Sequence, residues 1–132
     1  MGYSKNMNIE ITTKVQVTSE RISNLLCTAL DAGVGSSWYW IGNYTKRYPD
    51  TIPEYWHDIP LYGGCIMFQT VDDFDDDIDM WYTLDEKSIK KGLNLMASKH
   101  NRHWQDFINE NGDGETGDVF LQLCLFGKIV YG

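Results

Sequence analysis

The chain has 132 residues, of which 42% are hydrophobic, a size and composition that fit one independently folding domain. Its formal net charge of −8 argues against a protein that wraps a nucleic-acid backbone, which needs a field of Lys and Arg. No stretch approaches the roughly 20 apolar residues of a membrane span, and the polar run Met1 to Asn8 lacks the apolar core of a secretory signal, so a cytoplasmic protein with no membrane partner is expected.

Residues 1–7 read as a flexible tail ahead of a domain over 8–132. In NIEITTKVQV (8–17), Ile9, Ile11, Val15 and Val17 alternate with polar residues, which predicts a strand with one buried face. Thr18 is a good helix N-cap. Ile22, Leu25, Leu26, Ala29 and Leu30 follow at helical spacing, with Gly33 as the stop. Trp38-Tyr39-Trp40-Ile41 predicts a second strand. The segment from Gly42 to Gly64 holds Pro49, Pro53 and Pro60, the chain's only prolines, and is expected to be a long irregular loop of functional importance.

Residues 65–70 and 79–84 read as two further strands, with the acidic segment Asp72 to Asp77 as the hairpin turn between them. Asp85 caps the next helix, where Leu84 and Ile89 form a hydrophobic staple and Ile89, Leu93, Met96 and Ala97 supply the buried stripe. A shorter helix around Trp104, Phe107 and Ile108 should end near Gly112. DVFLQLCLF (118–126) is apolar nearly all round, as a buried central helix would be. The fold expected is α+β, a mainly antiparallel sheet of about four strands packed with three to four helices.

Candidate chemistry is sparse. Cys27, Cys65 and Cys124 are widely spaced among apolar neighbours and read as reduced core residues, with no CxxC pair. His100 and His103 have HxxH spacing but no local third ligand, and His57 could join them only through the fold. Asn109 to Gly114 resembles the start of a calcium-binding loop, yet Phe120 stands where the bidentate carboxylate belongs. Nucleophile elbows and phosphate-binding glycine loops are absent, so neither enzymatic activity nor a cofactor or metal is expected.

Two surface features remain. Trp38, Tyr39, Trp40, Tyr44, Tyr48, Tyr55 and Trp56 place seven rings within nineteen residues, either as core with its own cover or as a recognition surface on which planar groups stack. Charge is two-sided along the chain: six carboxylates lie between Asp72 and Asp79, and five of eleven basic residues (Lys87, Lys90, Lys91, Lys99, Arg102) lie in one later stretch.

SERISNLLCTALDAGVGSSWYWI (19–41), EYWHDIPLYGG (54–64), IKKGLNLMASKHNRHWQDFI (89–108) and GDVFLQLCLFGKIVYG (117–132) resemble a small family of bacteriophage and prophage proteins without assigned enzymatic activity. Gly33-Val34-Gly35-Ser36-Ser37 departs from the family's usual Gly-Gly-Ser-Asn, and the acidic run Asp72 to Asp79 is not part of its pattern. The resemblance implies a phage counter-defence protein. The expected action is sequestration of a nucleotide-derived immune signal, such as a cyclic nucleotide or cyclic ADP-ribose, by a homo-oligomer. Trp38, Trp40, Tyr55 and Trp56 would stack the base, and Lys91, Lys99 and Arg102 would hold phosphate. The alternative is an acidic inhibitor that mimics nucleic acid and blocks a CRISPR or restriction nuclease through Asp72 to Asp79. A metal-dependent signal hydrolase using His57, His100 or His103 is a third class.

Overall fold

The computed structural model describes residues 7–11, 13–31 and 34–132. Thr18 begins α1 (Ser19–Leu30) by accepting a hydrogen bond from the Arg21 amide on its hydroxyl, and Ile22, Leu25, Leu26, Ala29 and Leu30 are the face it buries. The helix ends at Asp31, whose amide bonds the Cys27 carbonyl. Gly33, the expected stop, lies outside the described residues, as do residues 1–6 of the expected tail.

The expected strand over 8–17 is absent: the described residues there belong to no sheet, and all but Val17 are exposed. Alternation predicts an extended chain with one apolar face, but a strand also needs a partner for its backbone, and none of the described residues supplies one. The expected strand at 38–41 is a turn, because Ser37 and Trp40 are drawn onto a later helix by their side chains. Only its last residue is strand: β1 starts there and spans Ile41–Arg47. It ends just before Pro49, so only part of 42–64 is irregular. Trp56–Tyr62 forms a 3-10 helix with Pro60 inside it, closed by Gly63 in the left-handed region at φ 93°. Glycine adopts that conformation without a Cβ clash.

β2 (Cys65–Thr70) pairs antiparallel with β1 on one side, Tyr44 opposite Phe68, and with β3 (Tyr82–Leu84) on the other, Ile66 opposite Leu84. The sheet therefore has three strands in the order β1-β2-β3, not four. The connection between β2 and β3 is not a simple turn. Thr70 caps a short helix, α2 (Val71–Asp75), and an extended stretch returns the chain to β3, which begins at Tyr82 rather than Asp79.

Asp85 and Ser88 form a reciprocal capping box at the start of α3 (Glu86–Lys99), which is followed by α4 (Asn101–Ile108). α5 (Gly114–Phe126) is capped by the Asp113 carboxylate, which accepts from the Thr116 amide, and its ten residues from Thr116 to Leu125 are all buried. It is the core helix, packed on α1, α3, α4 and β3. Its N-terminal turn reads GETG, a sequence poor in helix formers, which is why periodicity alone starts it at Asp118. No helix among the described residues is long and apolar enough to cross a membrane.

Gly92 lets α3 and α5 approach closely: a Cβ there would collide with the Cys124 sulfur and lie 3.0 Å from the Cys124 amide nitrogen. Gly92→Leu should cost about 2–3 kcal/mol by overpacking and lower the melting temperature by roughly 10 °C. A second substitution, Cys124→Ala, should return part of that loss, because the two sites share one contact. Melting curves of the single and double variants check this.

Candidate functional site

Three parts of the chain are joined through the buried side chains of Asp118 and Gln122. Asp118 Oδ1 accepts from Ser37 Oγ and Trp40 Nε1, both at 2.7 Å, and its Oδ2 accepts from Tyr39 Oη at 2.7 Å and Gln122 Nε2 at 3.1 Å. One helical turn on, Gln122 is fully buried. Its amide donates also to the Tyr131 carbonyl at 3.0 Å, and its oxygen accepts from the Val130 and Tyr131 amides at 2.9 and 2.8 Å. Two donors and two acceptors exhaust what a glutamine offers. The Ser-Ser-Trp-Tyr-Trp turn, the Asp-Val-Phe-Leu-Gln helix and the Val-Tyr-Gly terminus are thus one polar assembly, and its job is to hold the backbone of the turn and the terminus in place.

Burial, then the hydrogen bond to Asp118 and the charge of that carboxylate, push the Tyr39 hydroxyl up to about 12. An unfolded tyrosine ionises near 10. The folded state therefore keeps a proton that the unfolded chain gives up, so this contribution to stability is complete below about pH 10 and is lost as pH rises through about 12. Tyr39→Phe should flatten the fall of melting temperature between pH 10 and 12. An unchanged alkaline slope would show that Tyr39 does not titrate as described.

Trp40 is fully buried: its ring stacks on Tyr131 at 5.7 Å between centroids, packs on Phe126 at 5.3 Å, and has no face open to a ligand. Trp38 and Trp56 do lie together, half-buried beside β1. Trp56 stacks on Tyr44 at 5.4 Å, and Trp38 meets Tyr44 edge-on at the same separation. The cation on this cluster is Lys46, whose ammonium lies 4.9 Å from the Trp56 centroid and 5.7 Å from that of Tyr44. Tyr44 and Lys46 are two residues apart on one strand and so share a face, the signal that would have found the lysine once β1 was known to run to Arg47. Tyr55 is exposed and stacks on His57 rather than on this cluster.

The three expected phosphate ligands sit elsewhere. Lys91 and Lys99 are exposed on α3 and Arg102 on α4, helices that pack on α5, β3 and each other, while the rings stand on the 34–40 turn, β1 and the 3-10 helix. Arg102 already reaches Glu115 at 3.4 Å. The fold does not bring these cations to the rings.

The histidines are also dispersed. His57 is buried with Nε2 3.4 Å from Asp58, and His103 binds the Thr116 hydroxyl through Nδ1 at 3.0 Å. Among the described residues no group of three or more His, Cys, Asp or Glu has the geometry of a metal site. Asp113, in the loop resembling a calcium site, serves as the cap of α5, and the Thr116 amide holds its carboxyl below the usual range. Burial pushes the Cys124 and Cys27 thiols up, away from the thiolate form.

The acidic segment is the most distinctive surface. Residues 71–81 form a prong closed by its own hydrogen bonds: the Ile78 amide to the Asp73 carbonyl at 2.8 Å, the Asp77 amide to the Phe74 carbonyl at 3.2 Å, and Gln69 Nε2 from β2 to the Ile78 carbonyl at 3.1 Å. Tyr131 Oη ties Asp72 to the C-terminal segment at 2.9 Å, and Trp81 Nε1 ties Asp79 at 2.8 Å. Asp77 takes the left-handed conformation, φ 56°, that turns the chain back. Asp75, Asp76, Asp77 and Asp79 are exposed, and none of the six carboxylates forms an ion pair among the described residues. Between them Phe74, Ile78 and Met80 are 52%, 48% and 46% exposed. Sequence alone showed the charge. It did not show that the apolar side chains are exposed beside it, since the expected turn at 72–77 said nothing of where Phe74 faces and the expected strand at 79–84 assigned Met80 to a sheet. No protein-family model, no curated protein and no solved structure matches this chain.

Proposed function

We propose that this chain is a binding protein whose prong, residues 71–81, docks on the basic surface of a partner protein and competes there with nucleic acid. The observation that carries this reading is a hydrogen-bonded segment of carboxylates, without an ion pair among the described residues, interleaved with the exposed side chains of Phe74, Ile78 and Met80. A solvated acidic turn needs neither its own hydrogen-bonded closure nor outward apolar groups. An interface does: the carboxylates steer and orient a basic partner, and the apolar groups supply desolvated anchor contacts.

A nucleic-acid-binding enzyme is the partner chemistry such a surface fits, and the resemblance to phage proteins makes host restriction and CRISPR nucleases the first to test. Titrating the chain into DNA cleavage by purified nucleases of both kinds should slow at least one of them. Cleavage unaffected across the panel would remove the reading.

The ring cluster supports a second reading, sequestration of a nucleotide-derived signal. Its site would be Tyr44, Trp56 and Lys46, with Trp38 as support, in place of Trp40, Tyr55 and the α3–α4 cations. Incubation with cyclic nucleotides and cyclic ADP-ribose isomers, then heat release and chromatography, separates the two: retained intact ligand that Trp56→Ala abolishes favours sequestration.

A further inference from the structure

Residues 7–17 leave a strand's sequence without a strand's partner. Met7, Ile9, Ile11 and Val15 are exposed, and among the described residues no backbone hydrogen bond ties 7–11 or 13–17 to the body of the molecule. The alternate side chains Ile11, Thr13, Val15 and Val17 share one face, which looks onto a groove of about 850 Å3 floored by Ile22, Leu61, Ile89, Leu93 and Trp104. An apolar-faced arm over a groove that pairs an apolar floor with Glu86, Lys90, Asn94 and Ser98, its backbone without a partner among the described residues, is an incomplete arrangement.

The sequence of the arm specifies what completes it. Read about position 12, it is its own antiparallel complement: Ile11 falls opposite Thr13, Glu10 opposite Lys14, Ile9 opposite Val15, Asn8 opposite Gln16 and Met7 opposite Val17. Apolar positions meet apolar or threonine positions on one face, and polar meets polar on the other. The one charge pair the arm can make, Glu10 with Lys14, occurs twice by symmetry. A slip of one residue would set the apolar face of one arm against the polar face of the other, and a slip of two would leave both charges without their partner, so the register is unique.

We propose that two copies of this chain associate about a two-fold axis through residues 7–17, forming an antiparallel two-stranded ribbon whose single apolar face covers the groove of each copy. An isologous contact of this kind closes as a dimer and leaves no free edge at the pairing side of either arm. The proposal is independent of what the prong binds.

Charge reversal tests it. Sedimentation equilibrium of the full chain should show a dimer. Glu10→Lys alone and Lys14→Glu alone each set like charges opposite one another twice, and should weaken the dimer by about tenfold or more. The double variant restores opposite charges in the same register and should dimerise like the wild type. The arm lies outside the core, so circular dichroism and melting should change little in the single variants beyond the effect of dissociation. A wild type that is monomeric at all concentrations, single reversals that dimerise normally, or a double variant as weak as the singles would each overturn the proposal.

Discussion

Asp118→Ala is expected to cost about 3–5 kcal/mol and to lower the melting temperature by roughly 12–20 °C, the largest stability effect of any polar substitution in this chain. The reason is the number of donors that depend on one carboxylate. Ser37 Oγ, Tyr39 Oη, Trp40 Nε1 and Gln122 Nε2 all point at it, and all but Tyr39 belong to fully buried residues that no water reaches without a cavity. Removing a partner from a buried donor forfeits the desolvation already suffered by that donor, a heavier loss than the net value of the bond. Asp118→Asn keeps the volume but turns an NH2 toward one pair of donors, so it should recover only a fraction. Gln122→Leu should be milder, since it frees the C-terminal backbone to reach solvent. Denaturant unfolding of the three variants orders them, and an Asp118→Ala protein within about 1 kcal/mol of wild type would refute the assembly described.

The second large effect is on recognition rather than stability. Neutralising Asp75, Asp76 and Asp77 together as asparagines should weaken partner binding by about a hundredfold or more, and Phe74→Ala with Ile78→Ala should do likewise, while both variants melt close to wild type. The carboxylates are exposed and make no ion pair among the described residues, and the two apolar side chains are about half exposed. The two variants should differ in mechanism. Charge neutralisation should slow association and reduce its dependence on salt, whereas removing the apolar contacts should speed dissociation. Equal loss of binding and of folding in either variant would assign those residues to the scaffold.

Helices were the legible part of this fold. Thr18 and Asp85 mark helix starts by a hydrogen bond to an amide three residues on, and α1 and α3 follow from spacing alone. Strands were less so, for a physical reason visible at each miss. The alternation over 8–17 encodes a face, not a partner, and the apolar run at 38–41 is diverted by three hydrogen bonds to Asp118, a residue about 80 positions away. The candidate site was half legible. Acidity at 72–79 is written in the sequence, but the outward aspect of Phe74, Ile78 and Met80 depends on the Asp77 turn and on Gln69 gripping the Ile78 carbonyl. In the same way Trp40 carries the composition of a stacking residue and the position of a core one, which only the approach of Tyr131 and Phe126 reveals.

The most direct test of the prong as a nucleic-acid competitor is the DNA affinity of a nuclease that the chain inhibits, measured at several concentrations of the chain. Apparent Kd for DNA should rise linearly with the concentration of wild-type chain, with no change in the rate of cleavage at saturating DNA, and should stay constant with the Asp75, Asp76 and Asp77 neutralised variant. Inhibition that saturating DNA fails to relieve, or that the neutralised variant reproduces, would contradict the account.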